Sequence, residues 1–178
     1  MRTRSRINTA GERLADSPIK FVAASSDITH MAGNGLHYLT KNDWVLINAR
    51  TKRRIFQLGE EIIQEGGHGE AIFIIRSGEA SVEVAGTKSR SVVASLGPDD
   101  ICGDMAFLEK SQATAAVIAK EERVEADEIR AEELRKLFEA FPSLAYRFYR
   151  SLAVVLAHRL RDTSKDLARE MAARDRLG

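Results

Sequence analysis

The chain has 178 residues, 44% hydrophobic and 30% charged, with 27 Lys and Arg set against 26 Asp and Glu. A chain of that length buries a core of its own and is too short for most large multidomain enzymes. Its composition excludes a disordered or membrane-embedded protein, and its near-neutral balance gives no sign of a nucleic-acid binder.

Residues 1–38 are polar and aperiodic, with Gly33-Asn34-Gly35 as a turn signal, and read as an arm rather than a folded unit. Glu12, Arg13, Asp16 and Lys20 interrupt what would be the apolar stretch of a signal peptide. No apolar run approaches the roughly 20 residues that span a bilayer. The single cysteine, Cys102, excludes an intrachain disulfide and fits a reducing, cytoplasmic setting. The stretch Leu39 to Ile47 predicts a short helix, with Thr40 as N-cap, Asp43 three residues on and Leu39 as the staple before it.

From Arg54 to about Ile129 the pattern is that of strands. Apolar runs at Ile62-Ile63, Ala71 to Ile75, Ser81 to Val84, Val92 to Leu96 and Ala115 to Ala119 alternate with turns holding Gly59, Gly66-Gly67, Gly78, Gly86 and Gly97-Pro98. This spacing predicts an antiparallel sandwich or barrel, because a doubly wound sheet would need helices between its strands. The acidic run Glu121, Glu122, Glu125, Asp127, Glu128, Glu132 and Glu133 reads as solvated surface. From Ala131 the period becomes helical, first as a short amphipathic piece that stops before Pro142, then as a helix from Ser143 nearly to Gly178. Leu152, Leu156, Leu160, Leu167 and Met171 fall on one face of it. Its far half has no obvious surface of its own to cover, so the stripe predicts a homodimer or docking to a partner protein. The chain thus divides into an arm (1–38), a β-roll with short helices (39–142) and a long C-terminal helix (143–178).

One segment has chemistry of its own. Gly103 stands directly before a short helical turn, where amide N–H groups can face an anion, and Asp104 beside it can accept from a sugar hydroxyl. A plain connector would look the same. His30, His37, His68 and His158 have no metal-ligand spacing, and no metal site is expected. Neither a nucleophile–base–acid set nor a phosphate-loop motif occurs, so no enzyme is predicted. The long helix mixes Arg147, Arg150, Arg159, Arg161, Lys165 and Arg169 with Asp162, Asp166 and Glu170, and Glu170 with Arg174 reads as one of its ion pairs. That is the pattern of a solvent-facing helix flank rather than a DNA-reading one.

Taken together, Gly59-Glu60-Glu61-Ile62-Ile63, Ile72 to Gly78, Leu96-Gly97-Pro98, Gly103-Asp104-Met105-Ala106-Phe107-Leu108 and Ala115-Ala116-Val117 resemble the cyclic-nucleotide-binding domain family, typified by catabolite-activator-like regulators and kinase regulatory subunits. The resemblance runs from about Leu39 to Leu160. It implies a mainly β fold with flanking helices: an eight-stranded jelly-roll-like β-barrel plus the long C-terminal helix. It also implies a cyclic AMP or cyclic GMP ligand, with no other cofactor. The implied ligand contacts are Gly103, Asp104 in place of the usual Glu, the amides of Met105 and Ala106, and Thr114. The family's phosphate-pairing arginine falls on Ala113. A charge-assisted contact of that kind contributes roughly 1.5–3 kcal/mol, so the sequence predicts a degenerate, weakened cradle. Asp99 replaces a usual glycine and Cys102 a common phenylalanine. In the family's transcription factors a helix-turn-helix domain follows the long helix. Here the sequence ends at Gly178, and no DNA partner is expected.

Overall fold

The computed structural model describes residues 35–87 and 89–175, except the side chains of Glu170, Arg174 and Asp175. The N-terminal arm up to residue 34 and the Glu170–Arg174 pair lie outside the described residues.

The first element, α1 (Lys41–Asn48), begins as its capping signal predicts. The Asp43 amide donates to the Thr40 hydroxyl at 3.2 Å, and the Asp43 carboxylate accepts from the Thr40 amide at 2.8 Å. Eight strands follow: β1 (Lys52–Phe56), β2 (Glu61–Ile63), β3 (Ala71–Ser77), β4 (Ala80–Ala85), β5 (Arg90–Leu96), β6 (Ile101–Cys102), β7 (Ala116–Ala119) and β8 (Val124–Arg130). A short helix, α2 (Asp104–Glu109), interrupts them, and α3 (Ala131–Ala140) and α4 (Pro142–Asp175) close the chain. The strands form two four-stranded sheets, ordered β1-β8-β3-β6 and β2-β7-β4-β5, with every pairing antiparallel. The jelly-roll-like fold read from the sequence is the fold observed.

β3 shows why its run is continuously apolar. Phe73 and Ile75 face the interior of the roll with Phe56, Val117, Val124 and Ala126. Ile72 and Ile74 face the other way, into a second cluster with Trp44 and Ile47 of α1, Leu134 and Leu137 of α3, and Leu144, Phe148 and Leu152 of α4. A strand buried on both faces loses the polar alternation of a half-exposed one. The first half of α4 therefore packs into the same core as the sheet.

Two expectations are corrected here. Leu152, placed on the partner-facing stripe, is fully buried in this second core and is not available to a partner. Leu156 is half-buried, whereas Leu160, Leu167 and Met171 are exposed. The acidic run is not all solvated surface either. Glu125, Asp127 and Glu128 lie in β8, and Asp127 is buried between Arg53 at 2.5 Å and Arg76 at 2.6 Å.

Candidate functional site

The segment read as a cradle is the β6–α2 junction. Gly103 has φ 81, and a Cβ there would stand 2.6 Å from the Ala71 carbonyl oxygen. Only glycine fits this corner, both by backbone conformation and by space. It turns the chain so that Asp104 becomes the first residue of α2.

The Asp104 carboxylate is buried and is not an open acceptor, because Arg159 of α4 reaches it. Its Nη1 donates to Oδ2 at 3.1 Å and to Oδ1 at 3.4 Å, while Nη2 donates to the carbonyl of Ile101. One guanidinium thus joins α4 to both β6 and the start of α2. Burial pushes the Asp104 carboxyl above its ordinary range; the Arg159 charge and the amides of Asp104 and Met105 act against that shift. Beneath it, the Cys102 thiol is pushed up to about 12, first by burial and then by the charge of Asp104. It is therefore a neutral packing residue and not a nucleophile.

The other candidate residues are distributed as follows. Met105 is half exposed and Ala106 is buried. The Ala113 amide donates to the Gly67 carbonyl at 2.8 Å, and its own carbonyl accepts from the Gly66 amide at 2.8 Å. The loop around Gly66–Gly69 links this stretch to α2, since a Cβ at Gly69 would lie 2.7 Å from the Ala106 carbonyl carbon. Gly103 to Ala106 and Ala113 are thus two backbone-pinned stretches joined by one loop, and Thr114 is exposed beside them. Ala113 offers a methyl group where the resemblance expects a guanidinium. Two arginines of the strands, Arg76 and Arg90, are engaged with acids instead: Arg76 pairs with Asp127 and stands 3.6 Å from Asp99, and Arg90 pairs with Glu61 at 3.2 Å. Asp99 has φ 70, which accounts for glycine being usual at that turn.

Sequence reasoning assigned Arg159 to the exposed flank of the helix and missed it as a site residue. A signal was present. Leu152 and Val155 are buried, and Arg159 follows at the spacing that continues their face. A cation ending an apolar seam implies a buried acid opposite. Among the described residues, no group of three or more His, Cys, Asp or Glu side chains is placed to hold a metal. Nor is any helix there long and apolar enough to cross a membrane.

Comparison with known proteins identifies the family and the fold. The family model described as "Cyclic nucleotide-binding domain" matches residues 53–141. The chain is 35% identical over 126 residues to cyclic GMP-binding protein C of Dictyostelium discoideum, covering 66% of this chain and 5% of that protein. It is 30% identical over 140 residues to the cyclic AMP receptor protein of Thermus thermophilus, covering 77% of this chain and 62% of that one. The solved structure of the Thermus thermophilus catabolite activator protein superposes with a TM-score of 0.63 at 26% identity, over 76% of this chain and 62% of that chain. The chain therefore spans less than two thirds of the length of either curated relative.

Proposed function

Because the chain belongs to the cyclic nucleotide-binding domain family, we propose that it is a non-enzymatic regulatory module whose cradle takes a cyclic nucleotide weakly and reports occupancy through α4. The observation that carries this reading is the pairing of Arg159 with Asp104. The acid suited to a ligand hydroxyl is held by the helix that extends away from the roll, so a ligand that engages Asp104 must alter a contact of α4. Weak affinity follows from Ala113, which supplies no charge to a phosphate. Arg159 is the guanidinium at this carboxylate, and it offsets a negative charge that would otherwise face an anionic ligand.

The far half of α4 then serves as the output surface. Leu160, Leu167 and Met171 are exposed along it. The charges beside them pair within the helix, Asp162 with Lys165 at 3.1 Å and Asp166 with Arg169 at 3.0 Å. A seam of exposed apolar residues between paired charges fits a second copy of the helix or a partner protein better than a DNA backbone. One observation favours a second reading, a scaffolding subunit with a vestigial pocket: Asp104 is already satisfied without ligand.

The experiment is calorimetric titration of the wild type and the Ala113→Arg variant with cyclic AMP and cyclic GMP. Restoring the guanidinium tightens binding of one of them by about tenfold or more if the cradle is otherwise intact. Absence of binding in both proteins would establish the scaffolding reading instead.

A further inference from the structure

A second concave site lies at the other end of α2. It is a groove of about 350 Å³ whose walls include His68, Glu70, Lys110, Arg130, Glu132 and Arg135. None of the cradle residues lines it. Its walls come from three stretches far apart in sequence, pinned to one another through the backbone. The Gly69 amide donates to the Ser111 carbonyl at 3.2 Å, His68 bridges to Gln112, and the Ala131 amide donates to the Glu70 carbonyl at 2.7 Å. A groove held open in this way is preorganised, so a ligand entering it would not have to order a loop.

Its charges are unbalanced. Among the described residues no carboxylate lies within ion-pair distance of Lys110, Arg130 or Arg135; the two arginines act on Glu132 only at longer range, and Arg135 lies over the Phe107 ring, 5.8 Å from its centroid. Of the two acids in the walls, Glu132 is already paired with Lys136 at 2.7 Å. Lys110 closes α2 with φ 53, a conformation that fixes where its side chain leaves the helix. The groove is therefore a bounded volume with surplus positive charge.

We infer that this groove is an anion site, separate from the cradle, that takes a compact phosphate-bearing small molecule. Its volume lies at the small end of the range for small-molecule sites, roughly 300–1,000 Å³, and is too short to hold an extended segment of a partner protein. Two guanidinium groups and an ammonium group around one hollow suit the several oxygens of a phosphate, which accept from more than one cation at once.

The test uses the full chain and inorganic pyrophosphate as probe, followed by amide chemical shifts in NMR titration. Saturable shifts are expected at Gly69, Ser111 and Glu132, with affinity falling about fivefold for Lys110→Gln or Arg130→Gln alone and about twentyfold for the pair. Both side chains are exposed, so unchanged thermal melting of the variants confirms that the fold is kept. Shifts centred on Gly103 and Met105, or equal affinity in wild type and double variant, would overturn the assignment. So would saturable binding of a hexaglutamate peptide without binding of pyrophosphate, which would make the groove a protein-docking surface. Because the Glu132 readout lies on α3 and none of the cradle residues lines the groove, loss of cyclic-nucleotide binding at the cradle leaves this test unaffected.

Discussion

Two points on α4, one near its start and one at its middle, are fastened to the domain by the same chemistry with opposite results. Near its start, Arg147 holds Asp43 of α1 with two donors, Nε and Nη2, each at 2.6 Å. Farther along, roughly 18 Å up the axis, Arg159 holds Asp104 at 3.1 and 3.4 Å. The Arg147 hydrogen bonds, helped by Thr40, lower the Asp43 carboxyl to about 2, against the opposing effect of its burial. Burial of Asp104 prevails over Arg159, and its carboxyl is raised. The first pair sits beside Leu144, Phe148 and Leu152 and locks a helix that the core already holds. The second stands where that core ends, and beyond it α4 presents only exposed apolar positions. One clamp is structural; the other is the contact that a ligand would compete for under the proposed function.

The contrast is sharpest in stability. Leu152→Ala is expected to cost about 2–5 kcal/mol in urea unfolding, because it opens a cavity in the shared core. A cost below about 1 kcal/mol would mean that the inner half of α4 is not anchored there. Asp43→Asn comes next, at about 1–3 kcal/mol, since it weakens both the Arg147 clamp and the Thr40 capping box. It also carries a signature in pH. The folded Asp43 carboxyl is depressed from 3.8 to about 2, so its contribution is complete above about pH 4 and is lost as the pH falls toward 2. Asp104 has the opposite sign: its raised carboxyl favours the folded state below 3.8, an effect lost as the pH rises. Unfolding followed from pH 5 to 2 is therefore expected to show a loss of stability in the wild type that Asp43→Asn flattens.

The smallest effect on folding is expected at the outer end. Replacing Leu160, Leu167 and Met171 together by Gln is expected to leave the unfolding midpoint nearly unchanged, because all three are exposed. The same change is expected to convert a dimer to a monomer in sedimentation, if a second copy is what covers them. A wild type that sediments as a monomer at high concentration would leave a different protein as the partner of this face.

How much of this was legible in the sequence depended on how local each interaction is. The α1 cap, the Gly103 corner and the strand runs are set by residues close in the chain, and the sequence displays them. β1 and β8 were obscured by their charges. No apolar run marks either strand, and Glu125 and Glu128 read as solvated surface, whereas across the two paired strands Glu125 meets Arg53 at 3.0 Å and Glu128 meets Arg54 at 2.7 Å. β6 is two residues long and leaves no period to detect. Arg159 and Asp104 are 55 residues apart, and only the packing of α4 against the sheet brings them together.

The most direct test of the central claim follows hydrogen exchange along α4 with and without cyclic AMP, at concentrations that saturate the Ala113→Arg variant. In a chain carrying that change, ligand is expected to alter protection of residues 156–163, and adding Arg159→Leu is expected to remove the response while α3 keeps its protection. Cyclic AMP bound with α4 unchanged, or the same response without Arg159, would contradict a cradle coupled to its helix through this pair.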